Sequence, residues 1–178
     1  GTIYAIKAGF SVSETALFMT LFIGFGAASQ LPLGWLSDKI DRRKVILLCC
    51  ASVISICITL SSFEFRSTTL LILSALVGAF TLPLYSLGVA QANDRLEPKQ
   101  MISASGTIVL VFSVFAALGP FTMSYFLELF EMFGFMIYMG IVHLVIAVTV
   151  LMMMMINQNV DESEQTDFQV MGQRPSVV

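Results

Sequence analysis

Two long runs of uncharged, mostly apolar residues constrain this chain more than any other feature. They cover residues 15–37 and 45–63. A helix rises about 1.5 Å per residue, so about 20 residues suffice to cross a hydrocarbon layer of ~30 Å. The composition, 57% hydrophobic and only 12% charged, does not suit a soluble domain of 178 residues. The sequence therefore predicts an all-α fold, a polytopic transmembrane helix bundle.

The same pattern continues along the chain and predicts five full spans. Their expected ranges are residues 11–37, 41–63, 67–93, 98–127 and 132–156. Ser11 and Glu14 have the spacing of a capping box, which marks the start of the first span. Residues 1–8 have the pattern of the end of an earlier helix that stops at Gly9. Because the chain begins inside a helix, we expect an N-terminal part of the protein to be missing from this sequence.

The distribution of cations predicts how the bundle is oriented. One side holds Lys39, Arg42, Arg43, Lys44, Arg95, Lys99 and Arg174, and the other holds Lys7 and Arg66. Short cytoplasmic loops of membrane proteins carry the excess of Lys and Arg. We therefore expect the loop at residues 38–44 to be cytoplasmic, together with the acidic tail at residues 157–178, which we predict to be disordered.

The loop between the first two spans is the most polar part of the helical region. In residues 34–44, seven of the eleven residues are polar or charged and four are cations. The pattern resembles the loop signature of the major facilitator superfamily, G-x-x-x-D-[RK]-x-G-[RK]-[RK]. The matching residues are Gly34, Asp38, Lys39, Arg42 and Arg43. Asp41 stands where the signature has a glycine.

The resemblance implies a fold and a function for nearly the whole chain. The third span lacks the embedded arginine that an N-terminal half would have, so residues 1–156 resemble a C-terminal half, the end of helix 7 and helices 8–12 of a 12-helix transporter. Residues 83–107 are similar to a bacterial branch close to sugar and drug-efflux transporters. The family implies secondary active transport of a small solute by alternating access across the bacterial inner membrane. The implied partners are the lipid bilayer and the N-terminal half of the same chain, with proton coupling left open.

The family's pattern also assigns roles in the loop. Asp38 and Arg42 would form a latch that opens and closes with the conformational state, and Gly34 would allow a close approach of helices. Lys39 and Arg43 would bind lipid headgroups or a neighbouring carboxylate. The alternative is that these charges only set the membrane topology.

Other residues are candidates for the solute pathway. Tyr4, Gln30 and Tyr85 lie on helices that line the central cavity in the resembled fold, but ordinary hydrogen bonds between helices explain them equally well. Pro83 removes a helical hydrogen bond and predicts a kink, and Gly119 with Pro120 predicts a second one. His143 lies near the middle of the fifth span, where it is either a proton-coupling group or a neutral imidazole with a local partner.

Several functional classes find no support in the sequence. One histidine, and three cysteines confined to one apolar run, provide no convergent catalytic or metal-binding set. We therefore predict no enzyme activity, cofactor, metal or nucleic-acid partner, and we interpret Cys49, Cys50 and Cys57 as packing residues. The remaining alternative to a transporter is a small accessory or scaffold membrane protein without transport activity of its own.

Overall fold

The protein is predominantly helical in the part of the chain that its computed structural model describes, residues 2–62, 67–94, 96 and 98–156. The helices are α1 (Thr2–Lys7), α2 (Val12–Lys39), α3 (Arg42–Ser62), α4 (Ser67–Thr81), α5 (Pro83–Asn93), α6 (Pro98–Phe130) and α7 (Gly134–Ile156), with a short 3-10 turn at Glu131–Phe133 between the last two. No strand occurs in those ranges. The predicted all-α fold is confirmed.

Among the residues that the structure describes, five segments are long and apolar enough to cross a membrane. They are Val12–Lys39, Arg42–Ser62, Thr68–Asn93, Ser103–Phe130 and Gly134–Ile156. These segments confirm the five predicted spans, and the third of them consists of α4 and α5 together. The predicted disordered tail, residues 157–178, lies outside the described residues and stays a prediction.

The start of α2 follows the local sequence signal. The Glu14 backbone N–H donates to Ser11 Oγ at 3.3 Å, and the Ser11 backbone N–H donates to Glu14 Oε2 at 2.8 Å. These two bonds satisfy donors that a helix start leaves unpaired. Gly9, with a φ of +83°, separates α1 from this cap, as the sequence predicts.

Small residues bring α2 and α4 into direct backbone contact. A Cβ placed on Gly78 would overlap the backbone of Phe22, and a Cβ placed on Gly26 would lie 2.9 Å from the Gly78 carbonyl oxygen. Helices in lipid pack closely where such residues meet, because no side chain holds the backbones apart. The crossing of α2 and α4 therefore depends on both glycines.

The core forms around α3. Val45, Cys49 and Cys50 are fully buried on α3 and pack with Leu87 of α5 and Val150 of α7. All three cysteines are buried and free, which agrees with their interpretation as packing residues. Among the residues whose burial is described, α6 is the least buried long helix: Leu127 is its one buried residue.

Two proline positions differ in their helical context. At Pro83 the ladder of helical hydrogen bonds is interrupted, because proline has no backbone N–H: α4 ends at Thr81 and α5 begins at Pro83. At Pro120, α6 continues without interruption and extends to Phe130, three residues beyond the predicted end at residue 127. The role of Pro83, Gly119 and Pro120 as hinges stays a prediction.

Candidate functional site

Arg42 is the centre of a charged cluster that joins three helices. It is the first residue of α3, and only 1% of its side chain is exposed. Its Nη2 lies 3.0 Å from Oδ1 of Asp38, in the last turn of α2, and its Nη1 lies 3.0 Å from Oδ2 of Asp94, which follows α5. We call Asp38, Arg42 and Asp94 the charge cluster. One guanidinium therefore holds the ends of α2 and α5 against the start of α3.

The dipoles of α3 and α5 disfavour the charges of Arg42 and Asp94 at the ends where these residues lie. A cation at a helix N-terminus and an anion at a helix C-terminus are each disfavoured by the dipole of their own helix. Arg42 and Asp94 occupy these two unfavourable positions, and both side chains are at most 3% exposed. Each charge is compensated by the other as long as the two helix ends stay together, because a buried charge without compensation is costly.

Asp41 caps α3 from the loop. The Arg43 backbone N–H donates to Asp41 Oδ1 at 3.0 Å, and Arg43 Nη2 donates to Asp41 Oδ2 at 2.9 Å. Burial by itself raises the pKa of the Asp41 carboxyl, but the hydrogen bonds and charge of Arg43, with the charge of Lys44, outweigh it and lower the pKa below its ordinary value. Among described residues other than glycine, Glu131 alone has a positive φ. Asp41 therefore replaces the glycine of the signature with a helix cap and not with a left-handed turn.

The other loop residues make contacts of their own. Lys39 is exposed, and its Nζ lies 3.5 Å from the centre of the Trp35 ring. Gly34 is buried in α2, where its carbonyl accepts a bond from the buried Ser37 hydroxyl at 2.7 Å. Arg43 pairs with Asp41 inside the loop. The structure thus brings Asp38 and Arg42 together and leaves Lys39 on the protein surface.

The three pathway candidates lie on three different helices. Tyr4 is buried in a core that includes residues of α2, α3 and α7, and its ring is 5.3 Å from that of Phe135. Tyr85 is partly buried in α5, and its ring is 4.7 Å from that of Phe112 in α6. Gln30 is partly buried in α2. Of the three, Tyr85 lines an open groove of about 330 Å³ between α5 and α6.

His143 has local partners on both ring nitrogens. It is 2% exposed; Nδ1 lies 2.7 Å from the Met139 carbonyl oxygen, and Nε2 lies 3.3 Å from Thr81 Oγ1. A carbonyl only accepts, so Nδ1 carries a hydrogen; in the neutral imidazole Nε2 then accepts from the Thr81 hydroxyl. The local partners that the second alternative requires are therefore present, while the protonation state of His143 stays a prediction.

Asp94 is the functional candidate that sequence reasoning missed. The sequence places it in a loop and assigns it no partner. The available signal is its position: an aspartate directly after an apolar span, on the same predicted side of the membrane as Arg42. The described residues contain no group of three or more His, Cys, Asp or Glu side chains that could hold a metal ion.

Comparison with known proteins relates the sequence of this chain to a family. The sequence model of the Major Facilitator Superfamily (MFS) matches residues 2–176. YfkF of Bacillus subtilis (strain 168), named an uncharacterized MFS-type transporter, is 30% identical over 132 residues, which are 72% of this chain and 33% of YfkF. YcaD of Escherichia coli (strain K12 / DH10B), with the same description, is 29% identical over 118 residues, 66% of this chain and 30% of YcaD.

These names give neither a substrate nor a branch of the family, and the chain spans about a third of the length of the curated relatives it matches. No solved structure gives a significant match. The family match nevertheless covers almost the entire chain, including all five apolar spans. This multi-pass membrane protein belongs to the Major Facilitator Superfamily.

Proposed function

We propose that this chain is the C-terminal half of a secondary active transporter that moves a small solute across a bacterial cytoplasmic membrane. The observation that carries the proposal is the bridge made by Arg42 between Asp38 and Asp94, both at 3.0 Å. It joins three helix ends on one face of a bundle that belongs to a family of transporters. The remaining half of the transporter would be supplied by another part of the same protein.

Alternating access requires an equilibrium between two conformations that differ little in free energy. A buried charge cluster at helix ends suits this requirement, because its ion pairs form in one arrangement of the helices and separate in the other. Asp38 is the member best placed to exchange partners, since 25% of its side chain is exposed, against 3% for Asp94. We therefore assign the latch to all three members of the charge cluster, with Asp38 as the partly exposed member.

The groove between α5 and α6 is the best candidate for the solute path of this half. Tyr85, Thr107 and Phe112 line it, and its volume is about 330 Å³, within the range usual for small-molecule sites. Tyr85 lies on α5, and this helix leads directly into Asp94. Movement of α5 would therefore move both the Tyr85 ring and the Asp94 carboxylate, which would couple the groove to the latch.

The experiment that tests the proposal compares neutral variants of the charge cluster in the intact protein. Asp38→Asn and Asp94→Asn each remove one charged partner of Arg42, and Lys44→Gln removes a charge from an exposed position in the first turn of α3. Because the solute is not known, two probes are followed in cells that express the protein: efflux of ethidium and uptake of radiolabelled sugars.

We expect both aspartate variants to lower the rate for whichever probe is moved, while Lys44→Gln leaves it unchanged. Membrane insertion is checked by the amount of folded protein recovered in detergent. Unchanged transport by well-inserted Asp38→Asn and Asp94→Asn proteins would argue against the latch. The charges of the loop would then serve only to set the topology.

A further inference from the structure

The third span has a joint at residues 79–83, between α4 and α5. Pro83 has no backbone N–H, so the carbonyl of Ala79 loses its usual helical donor. The Leu82 N–H still donates to the Gly78 carbonyl at 3.1 Å, and Leu82 keeps helical dihedral angles, with a φ of −66° and a ψ of −36°. The chain therefore changes from α4 to α5 within one residue, and the Ala79 carbonyl needs a donor from elsewhere.

Ser29 of α2 supplies that donor. Its Oγ lies 2.6 Å from the Ala79 carbonyl oxygen, across 50 positions of sequence, and 2.9 Å from the Gly26 carbonyl oxygen in its own helix. One hydroxyl hydrogen serves one acceptor at a time, and the shorter contact is the one to Ala79. The close crossing of Gly26 and Gly78 brings the hydroxyl within reach.

A second contact holds the joint from α7. Thr81, the last residue of α4, is hydrogen-bonded through Oγ1 to His143 Nε2 at 3.3 Å, and His143 is fixed in turn by its hydrogen bond to the Met139 carbonyl at 2.7 Å. Ala79 and Thr81 both lie at the joint, and their partners come from two different helices. The joint is thus held by α2 and by α7.

We propose that Ser29 and His143 are positioning residues that set the direction of α5 and thereby hold Asp94 against Arg42. α5 has 11 residues, which makes an arm of about 16 Å. A rotation of about 10° at the joint would move the far end of such an arm by about 3 Å, as much as the whole Arg42–Asp94 distance of 3.0 Å. The importance of the α5 direction for transport rests on the proposed function, whereas the geometry of the joint is independent of it.

A double-mutant cycle in the intact protein tests the Ser29 contact. Ser29→Ala removes the donor, and we expect the melting temperature in detergent to fall by about 2–4 °C. Pro83→Ala restores the backbone N–H, so in that background Ser29→Ala should have little effect. Ser29→Thr keeps the hydroxyl and should preserve the melting temperature. Ser55→Ala is the matched control, because the Ser55 hydroxyl donates at 2.8 Å to the Ala51 carbonyl of its own helix.

A distance measurement tests the direction of α5 without any solute. Spin labels at Gly88→Cys in α5, where an added side chain has open space, and at the exposed Lys44→Cys in α3 report the separation of the two helices. The native cysteines are buried, and protein without the introduced cysteines checks that they do not label. We expect Ser29→Ala and Thr81→Val to shift or broaden the distance distribution, and Ser55→Ala to leave it unchanged.

The proposal is overturned if the distance distributions of Ser29→Ala and Thr81→Val match that of the unaltered protein. It is also overturned if Ser29→Ala lowers the melting temperature by as much in the Pro83→Ala background as in the unaltered protein. Neither measurement depends on transport. Failure of the positioning role therefore leaves the proposed function standing, and failure of transport leaves the geometry of the joint testable by itself.

Discussion

Arg42 and Asp94 meet at 3.0 Å although 52 positions separate them in the sequence. The contact joins the start of α3 to the end of α5, and Asp38 completes it from α2. Since both side chains of the pair are almost fully buried, removal of either charge takes from the other a partner that water cannot replace.

Arg42→Met should destabilise the protein by about 3–5 kcal/mol, because it takes the cation of this buried pair away from Asp94. Arg42→Lys should recover only part of the loss, since an ammonium lacks the planar fork that reaches two carboxylates. Thermal unfolding in detergent measures both effects, with Lys44→Met as the control at an exposed position. A melting temperature that Arg42→Met leaves unchanged would contradict the prediction.

Asp41→Ala should lower the free energy of unfolding by about 0.5–2 kcal/mol, because α3 loses its cap. The pKa of the Asp41 carboxyl is lowered from its ordinary value of 3.8, so the charged form stabilises the folded state. This stabilisation is present above the ordinary pKa and is lost as the pH falls through the lowered one. Asp41→Asn should therefore be less stable than the unaltered protein at neutral pH and should approach its stability in acid. Equal stability of these two proteins at neutral pH would be evidence against the role of the charge.

Gly78→Ala should destabilise the protein by about 1–3 kcal/mol, because the added methyl group would overlap the backbone of Phe22. Gly24→Ala is the matched control, since an added Cβ at Gly24 meets nothing within 4 Å. Melting temperatures of the two variants measure the difference. If both alanines had the same effect, the close contact of α2 and α4 would be in doubt.

Cysteine labelling should reveal the orientation of α2. Ser13→Cys lies at an exposed position in the first turn of this helix, and Lys44→Cys lies at an exposed position just beyond its other end. With a membrane-impermeant maleimide, we expect Ser13→Cys to react in intact cells and Lys44→Cys to react only after the membrane is made permeable. The reverse pattern would invert the predicted topology. The protein without introduced cysteines provides the background.

Much of the fold was predictable because its signals are local. The five spans follow from runs of apolar residues, the start of α2 from Ser11 and Glu14, and the break in the third span from Pro83. The loop signature indicates the family from residues 34–43, and the family model confirms it over residues 2–176. In each case the residues that produce the feature lie close together in the chain.

The remaining features depend on which helices become neighbours. Three pairings are of this kind: Asp94 with Arg42, Ser29 with the Ala79 carbonyl, and His143 with Thr81. They join positions that are 52, 50 and 62 residues apart, in that order. Hydropathy decides that a helix crosses the membrane, but it does not decide which face meets which neighbour. The helices and the charged loop could therefore be read from the chain, whereas these pairings could not. They arise on folding, because a buried charge or carbonyl needs a partner and takes the one that helix packing brings within reach.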